Sequence, residues 1–379
     1  MIPMDRGCAM LRTVRTLLGA MLCGLVCACG GGGSYSSPPP PPPPPSASLI
    51  FVTNGSAGTV DVLTIDAKTG VPTPVAGNPL PDGATPKGTV VDAQKRYLYV
   101  VSSAGEVRGY LLNSSAQLSA MSASPFMTGG PSTAIAMDAS GQFVLTANGT
   151  SNSVSVFKIG STGALTEVPG SPFAAGANPD AIVMAGTYVY AGNGQGGSVS
   201  AYSLDMTSGS LTAVAGSPFA AGGNPLALVA DPSGTHLYAA EGPNGIAGFA
   251  INGTTGALTT ISGSPFTASG NAELSAVMDA AGALLHAANG TNVDCYNVDP
   301  STGALSFIGP SGTGGRALAL AVDAPDNFLY ALDNVNNQIE VFSIQSGNYS
   351  LALIPGNPYP LFSGASGQTL GPTSITIVH

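Results

Sequence analysis

The chain has 379 residues, and its 20 acidic and 10 basic side chains give a formal net charge of −10 at pH 7. Nucleic-acid binding needs clustered lysine and arginine to neutralise phosphates, so this composition argues against nucleic acid or another polyanion as a partner. The charged fraction of 8% is low, but apolar residues alternate with polar ones over many short runs, a pattern typical of folded β structure.

The N-terminal segment has the pattern of an export signal. Arg12 and Arg15 precede an apolar run from Leu17 to Ala28, which is short for a membrane span. The run ends in Val26-Cys27-Ala28-Cys29, which resembles the bacterial lipobox, in which cleavage leaves an acylated cysteine as the first residue. We therefore expect residues 1–28 to be a lipoprotein signal peptide and Cys29 to carry the lipid. The expected location is extracytoplasmic, anchored to the bacterial envelope, with the outer membrane favoured and its periplasmic or surface side left open.

A glycine- and proline-rich tether follows over residues 29–46, with eight consecutive prolines from Pro38 to Pro45. Polyproline extends by about 3.1 Å per residue and is semi-rigid, so the tether is expected to hold a domain away from the membrane. Contact with the membrane is expected through the lipid alone. Once the signal is removed and Cys29 is lipidated, Cys295 is the remaining cysteine, and no disulfide framework is expected.

A short phrase recurs along the rest of the chain. It reads Gly-Asn-Pro-Leu at Gly77, Ala-Ser-Pro-Phe at Ala123, and Gly-Ser-Pro-Phe at Gly170, Gly216 and Gly263. The prolines of these five copies are 46, 47, 46 and 47 residues apart, and weaker copies follow at Pro310 and Pro358. A constant period in this range is typical of stacked supersecondary units.

Each repeat contains four short β runs separated by turn residues. In the second copy the runs are 134–137, 143–148, 154–157 and 165–168. Four strands per repeat predict one blade of a β-propeller. The C-terminal run 371–378 is then an innermost strand, and 48–54 is a second strand with nothing before it. We expect these two segments to share one blade and to close a ring of seven, so the fold class is all-β and the propeller spans residues 47–379.

Several segments resemble known propellers. Phe51-Val52-Thr53-Asn54 with Gly58-Thr59-Val60 resembles the YVTN-type repeat of surface-layer proteins. Three further segments, 231–238, 255–258 and 263–266, resemble the seven-bladed family named for 6-phosphogluconolactonase. This resemblance implies the propeller fold and, as an activity, lactone hydrolysis. It also implies Pro-His phrases at the inner-strand entrances of hydrolytic members, where this chain has Pro86-Lys87, Pro131-Ser132, Pro179-Asp180 and Pro225-Leu226.

Comparison between repeats indicates packing roles for most reactive side chains. His236 aligns with Tyr97, Phe143 and Phe328, and His286 aligns with Tyr99, Tyr190, Tyr238 and Tyr330, so both histidines are predicted to pack; His379 is terminal. Cys295 aligns with small apolar residues and has no adjacent histidine in sequence. No metal-ligand spacing is present, and neither a metal nor a cofactor is expected. The repeated aspartates are predicted to cap turns: Asp92, Asp138, Asp231, Asp279 and Asp323.

Charged residues at the entrances to the innermost strands break the repeat pattern. Four blades carry Lys87, Asp180, Glu273 and Arg316 there, and Glu241 follows a second strand beside them. Asn54, Asn148, Asn193, Asn289 and Asp333 follow the second strands of other blades, on the same face. We predict a ligand site at this channel mouth, formed by Lys87, Asp180, Glu241, Glu273 and Arg316, for a small polar or zwitterionic ligand.

Three functions fit these residues. The first, which the sequence favours, is a binding module at the cell envelope, presenting a rigid disc to a small polar ligand, a glycan or an envelope protein. The second is a lactone hydrolase, with Glu273 or Asp180 as base and Arg316 or Lys87 holding an oxyanion or carboxylate. The third is a structural surface-layer unit, which predicts no cavity.

Overall fold

The computed structural model describes residues 45, 47–267, 273–313, 316–325, 327–345, 350–361 and 370–379. The predicted signal peptide, Cys29 and nearly all of the tether lie outside these residues. In the described part, every regular element is a β-strand, and the strands form seven antiparallel sheets. The described residues contain no helix that is long and apolar enough to cross a membrane.

Each sheet is one blade, whose strands we name inner, second, third and outer. From the inside outward, blade I contains Pro372–Val378, Leu49–Asn54, Thr59–Ile65 and Pro72–Pro74; blade II contains Pro86–Val91, Tyr97–Ser102, Glu106–Leu112 and Leu118–Ala120; blade III contains Ser132–Met137, Phe143–Asn148, Ser153–Ile159 and Leu165–Glu167; blade IV contains Pro179–Ala185, Tyr188–Asn193, Ser198–Leu204 and Leu211–Ala213.

The remaining blades follow the same order. Blade V contains Ala227–Ala230, His236–Ala240, Ile246–Ile251 and Leu258–Thr260; blade VI contains Ser275–Met278, Leu284–Ala288, Asn292–Val298 and Leu305–Gly312; blade VII contains Ala317–Val322, Phe328–Asp333, Gln338–Ile344 and Leu351–Leu353. Five blades add a two-residue strand that pairs with the third strand and that the sequence did not predict: Leu80–Pro81, Phe126–Met127, Phe173–Ala174, Phe219–Ala220 and Tyr359–Pro360.

The ring closes as predicted, through a blade made from both ends of the propeller. The C-terminal strand Pro372–Val378 pairs antiparallel with Leu49–Asn54, with Ile375 opposite Val52. The inner strands contact one another in blade order, and Pro372–Val378 touches the inner strands of both blade II and blade VII. Apolar clusters fill the spaces between neighbouring blades. The resulting architecture is an all-β, seven-bladed propeller.

The recurring proline phrase has a structural role. The residue before the proline accepts a hydrogen bond from the middle of the third strand: the backbone N–H of Gly109 donates to Ser124 Oγ at 3.0 Å, and that of Val156 donates to Ser171 Oγ at 3.0 Å. In blade I the same bond, from Val62 to Asn78 Oδ1, is also 3.0 Å long. The weak copy at Pro310 differs, because there the outer strand Leu305–Gly312 runs on unbroken except for a register shift.

Neighbouring blades interlock through a ring and a glycine. In blades I, III, IV, V and VI the turn before the outer strand contains a glycine with positive φ, and an added Cβ at Gly163 would clash with the ring of Tyr97 in the preceding blade. The same clash would occur between Gly303 and His236. In blade II, Tyr99 also donates its hydroxyl to the carbonyl of Gly163 in blade III, at 2.7 Å. His236 therefore packs in an aromatic position, as predicted.

The repeated aspartates cap turns, as predicted. Asp92 Oδ1 accepts the backbone N–H of Tyr97 at 2.7 Å, and Asp231 Oδ1 accepts that of His236 at 2.8 Å. Equivalent bonds are made by the other three: Asp138, Asp279 and Asp323. These carboxylates lie at the face opposite the inner-strand entrances, so they belong to the scaffold and not to the candidate site.

Candidate functional site

The four charged entrance residues occupy two structural positions, which corrects the expectation that they are equivalent. In blades II and IV a register shift follows Pro86 and Pro179, and Lys87 and Asp180 are the extra residues of those shifts. Blade VI has no such shift at its entrance, and Glu273 precedes the inner strand. Blade VII has the same shift after Ala317, so Leu318 takes the place of Lys87 and Asp180 there, and Arg316 precedes the strand. A β-bulge moves a side chain by one position, so the four side chains are presented differently.

Lys87 lines a small cavity of the central channel. The cavity measures about 220 Å³, and its walls come from the inner strands of blades I, II and III, including Thr89, Thr133, Ser374 and Thr376. Thr89 and Thr376 are joined by a hydroxyl–hydroxyl hydrogen bond of 2.9 Å. Among the described residues no ion pair is formed by Lys87. The cavity therefore combines one unpaired cation with several hydroxyl groups, which suits an anionic or polar ligand group.

Asp180 and Arg316 differ in environment. Asp180 is half-buried and accepts a hydrogen bond from Asn178 Nδ2 at 2.7 Å, and burial raises the pKa of its carboxyl. Arg316 is exposed, and its backbone N–H donates to Asp333 Oδ1 at 3.2 Å. The structure gives no contact between these two side chains or between either of them and Lys87. Their joint participation in one site stays a prediction.

The residues that follow the second strands form a buried polar ring. In blades III and IV the residues at this position are neutral and hydrogen-bonded within their own blade. Asn148 Nδ2 donates to Ser155 Oγ at 2.9 Å, and Asn193 Nδ2 donates to Ser200 Oγ at 3.0 Å. All four side chains are buried. In blade I, Asn54 Nδ2 donates instead to Asp61 Oδ2 at 2.9 Å. Blades III and IV show what the position does when it serves only the scaffold.

Blade V departs from that pattern at Glu241. The asparagine is replaced by Glu241, and the two hydroxyl partners in the third strand are replaced by Gly245 and Ala247. Glu241 is 1% exposed, and within the described part of the chain its carboxylate accepts no hydrogen bond of standard geometry. Burial raises the pKa of Glu241 to about 7, and a weak interaction with the backbone N–H of Gly223 opposes that rise. Glu241 is therefore a buried carboxyl that titrates near neutral pH.

Glu273 lies beside this residue in the fold. Its backbone exchanges two 2.9 Å hydrogen bonds with Gly242, the residue after Glu241. The Glu273 carboxyl is 2% exposed and accepts a 3.2 Å hydrogen bond from the Tyr296 hydroxyl. Burial, together with the charge of Asp294 and a hydrogen bond to it, raises the pKa of Glu273 to about 8. The blade V–VI junction thus brings two of the predicted site residues together.

Further buried carboxyls, not predicted from the sequence, extend this acidic group. Asp61, Asp294 and Glu340 occupy the third-strand position that holds Ser155 and Ser200 in blades III and IV, and they are at most 3% exposed. Burial raises the pKa of Asp61 to about 6. The signal was available, because aligning the third strands shows acids in blades I, VI and VII where blades III and IV have serine. Blades V, VI, VII and I are consecutive in the ring, so the acidic residues form one sector.

The structure corrects one expectation about Cys295. His286 lies opposite it on the neighbouring strand, with Nδ1 3.3 Å from the Cys295 Sγ, so a histidine is adjacent in space. Both side chains are nevertheless fully buried. Burial lowers the pKa of His286 to about 4 and raises the pKa of Cys295 to about 12. The pair is a neutral imidazole and a thiol that pack in the core, and it lacks a thiolate nucleophile.

No group of three or more histidine, cysteine, aspartate or glutamate side chains is placed to hold a metal ion within the described ranges.

Comparison with known proteins identifies the class to which this fold belongs, a lactonase-type seven-bladed propeller. The family described as "Lactonase, 7-bladed beta-propeller" matches residues 51–181 and 182–292, more than half of the chain. The chain therefore belongs to this family.

Solved structures share the same fold at low sequence identity. A putative 6-phosphogluconolactonase from Bacteroides uniformis is 19% identical, with a TM-score of 0.75 and with 88% of this chain and 99% of that chain covered. A periplasmic gluconolactonase from Pseudomonas aeruginosa is also 19% identical, with a TM-score of 0.72 and the same coverage. A search of curated protein sequences returns no significant match.

Proposed function

We propose that this protein is a lactone hydrolase whose reacting groups are the buried carboxyls at the junction of blades V and VI. The observation that supports this most directly is Glu241, a buried carboxyl that accepts no hydrogen bond of standard geometry among the described residues and whose pKa is raised to about 7. A general base works best when its pKa lies near the operating pH. Membership of the lactonase family favours an ester-type substrate, and a sugar lactone of the gluconolactone kind is the substrate we propose.

Two carboxyls with separated pKa values divide the chemistry between them. The ionised Glu241 accepts a proton from water as the water oxygen bonds to the lactone carbonyl carbon. The ring C–O bond then breaks, and Glu273, whose pKa is about 8, is the protonated group that donates to the leaving ring oxygen. The product is an open-chain hydroxy acid. Proton exchange with solvent restores the starting state of both carboxyls.

Replacing the proposed base tests this function. We expect Glu241→Gln to lower kcat for gluconolactone hydrolysis by about 10²–10⁴-fold, because the amide cannot accept the proton. The wild-type rate should be greatest between about pH 7 and pH 8, where Glu241 is ionised and Glu273 is protonated. Glu167→Gln alters an exposed glutamate and is the matched control. Equal kcat in wild type and Glu241→Gln, with both folded, would exclude this mechanism.

A binding module at the cell envelope is the second function we consider. The channel cavity lined by Lys87 supports it, because an unpaired cation beside hydroxyl groups suits ligand binding without requiring catalysis. The partners proposed remain a small polar ligand, a glycan or an envelope protein. Thermal-shift screening of the wild-type protein and Lys87→Ala against lactones, sugars and envelope polymers separates the two functions. Lysine-dependent binding without turnover would favour the binding module.

We propose further that the protein is anchored through Cys29, on the support of the Val26-Cys27-Ala28-Cys29 sequence and the basic, apolar leader before it. Cys29→Ser should leave an unprocessed precursor or release the domain into the soluble fraction of a bacterium with two membranes. Metabolic labelling with a fatty-acid analogue measures the acylation directly. Absence of label on the wild-type chain would disprove the anchor.

A further inference from the structure

A cleft of about 360 Å³ lies on the outer rim between blades I and II. Blade I contributes Val62, Val75, Gly77 and Leu80 to its walls, and blade II contributes its turn and outer strand over residues 113 and 116–119. None of these residues belongs to the channel mouth or to the acidic sector. The cleft is therefore a separate feature that the proposed hydrolysis does not use.

The cleft exists because blade I lacks an aromatic ring that its sister blades possess. The last residue of the recurring phrase is Leu80 in blade I, whereas the other blades with a clear copy have Phe126, Phe173, Phe219, Phe266 and Tyr359. In blade III an added Cβ at Gly170 would lie 3.7 Å from the Phe173 ring, and in blade IV one at Gly216 would lie 3.4 Å from the Phe219 ring. At Gly77 nothing lies within 4 Å of that point.

The clefts between blades II and III and between blades III and IV are shallower, because the inner residues of the blade do not line them. The cleft between blades III and IV is lined by Val168 and Pro169, but Val156, Gly170 and Phe173 are absent from its walls. Between blades II and III, Met121 and Ala123 line the cleft, and Phe126 is absent. In blade I the residues at the positions of Val156, Gly170 and Phe173 do line the cleft: they are Val62, Gly77 and Leu80. The extra depth therefore corresponds to the position of the missing phenyl ring.

We propose that the blade I–II cleft binds a small molecule with one aromatic ring that carries a polar group such as a hydroxyl. The occupant is inferred from the sister blades, which fill the same space with their own phenyl ring. Enclosed apolar cavities left by shortening an internal side chain bind benzene-sized rings, and the blade I–II cleft offers a comparable space that is open to the surface. The buried Val62 and the half-buried Val75 and Leu80 would contact the ring faces.

The rim of the cleft supplies polar groups for the substituent. Gln117 and Ser119 are exposed at its edge. Gln117 Oε1 accepts a 3.2 Å hydrogen bond from Asn113 Nδ2, an arrangement that turns the Gln117 amide nitrogen away from Asn113. The Asn78 amide nitrogen is already hydrogen-bonded within the cleft wall, because Nδ2 donates to the carbonyls of Val62 and Val75. A ring hydroxyl at the opening would therefore meet Gln117 or Ser119, and not Asn78.

Phenol is the probe for this site, and methyl NMR of the soluble propeller is the measurement. We expect one saturable site, with a dissociation constant of about 1 mM or tighter, that shifts the methyl signals of Val62, Val75, Leu80 and Leu118. Leu80→Phe restores the ring of the sister blades and should weaken phenol binding at least tenfold. The same substitution should leave the melting temperature unchanged or raise it, because it fills a cavity.

A gain-of-site variant provides the matched test. Phe173→Leu makes the same vacancy in blade III, so it should create a second phenol site there and change the stoichiometry from one to two. Glu241→Gln should bind phenol like wild type, which separates this site from the proposed hydrolytic centre. Phenol that causes no saturable shifts, that binds equally well to Leu80→Phe, or that gains no site in Phe173→Leu would overturn the proposal.

Discussion

Deleting residues 371–379 is expected to unfold the propeller or to lower its unfolding free energy by several kcal/mol. The deletion removes the inner strand of blade I, which pairs with Leu49–Asn54 and contacts the inner strands of both neighbouring blades. Each fully buried aliphatic side chain contributes about 1.5–3 kcal/mol, and Ile375 of this strand is 8% exposed. Chemical denaturation followed by circular dichroism measures the loss.

Single substitutions in this strand should lower the unfolding free energy by smaller amounts without removing the strand. Ile375→Ala should cost about 2–5 kcal/mol if its site stays unfilled, and the half-buried Ile377→Ala should cost less. His379→Ala isolates the end of the strand, where Nε2 accepts the backbone N–H of Ala324 at 2.7 Å and Nδ1 lies 3.0 Å from Ser48 Oγ. A truncated chain with an unchanged denaturation midpoint would show that this blade does not close the ring.

The unfolding free energy should fall as pH rises from about 4 to 8, and Glu273 should be a major cause. Its folded pKa of about 8 is above the ordinary value of 4.5, so the folded state holds a proton that the unfolded state releases. The stabilisation is complete below the unfolded pKa and is lost as pH rises through the folded pKa. Each titrating group changes the unfolding free energy by about 1.4 kcal/mol per pH unit within this window.

The Glu273→Gln variant isolates that contribution. Glutamine cannot ionise, so its unfolding free energy should depend less steeply on pH than that of wild type between about pH 4.5 and 8. The unfolding free energy of the variant should therefore increase relative to that of wild type as pH rises. Glu167→Gln, at an exposed site, should follow the wild-type curve. Parallel curves for wild type and Glu273→Gln would show that Glu273 is not protonated in the folded protein at neutral pH.

The sequence was sufficient to predict the fold because the repeats constrain it several times over. The spacing of Pro79, Pro125, Pro172, Pro218 and Pro265 set the blade length, and alternating apolar residues set the strands. The unmatched runs at the two ends predicted the shared blade. The two-residue strands such as Phe173–Ala174 were missed because two residues carry no periodic pattern.

The candidate site was harder to predict for two physical reasons. Lys87 and Asp180 are the extra residues of the register shifts that follow Pro86 and Pro179, and a bulge of this kind leaves no mark in an alignment of repeats. Glu273 and Arg316 precede their inner strands instead. Protonation also depends on burial, which is a property of the folded chain. Glu241 and Asp180 are both acids near strand ends, yet one is 1% exposed and the other is half-buried.

The interlock between ring and glycine makes each blade depend on the side chain that its preceding neighbour supplies. Gly163, Gly209, Gly256 and Gly303 each face a ring of the preceding blade. Blade II has Ala116 at this position, and the preceding blade has Leu49 in place of a ring. A duplicated or transplanted blade would bring its own glycine but face a foreign neighbour. Recombination should therefore accept exchange among blades that carry both the glycine and the ring, and should disfavour moving blade II, with Ala116, behind a blade that presents a ring.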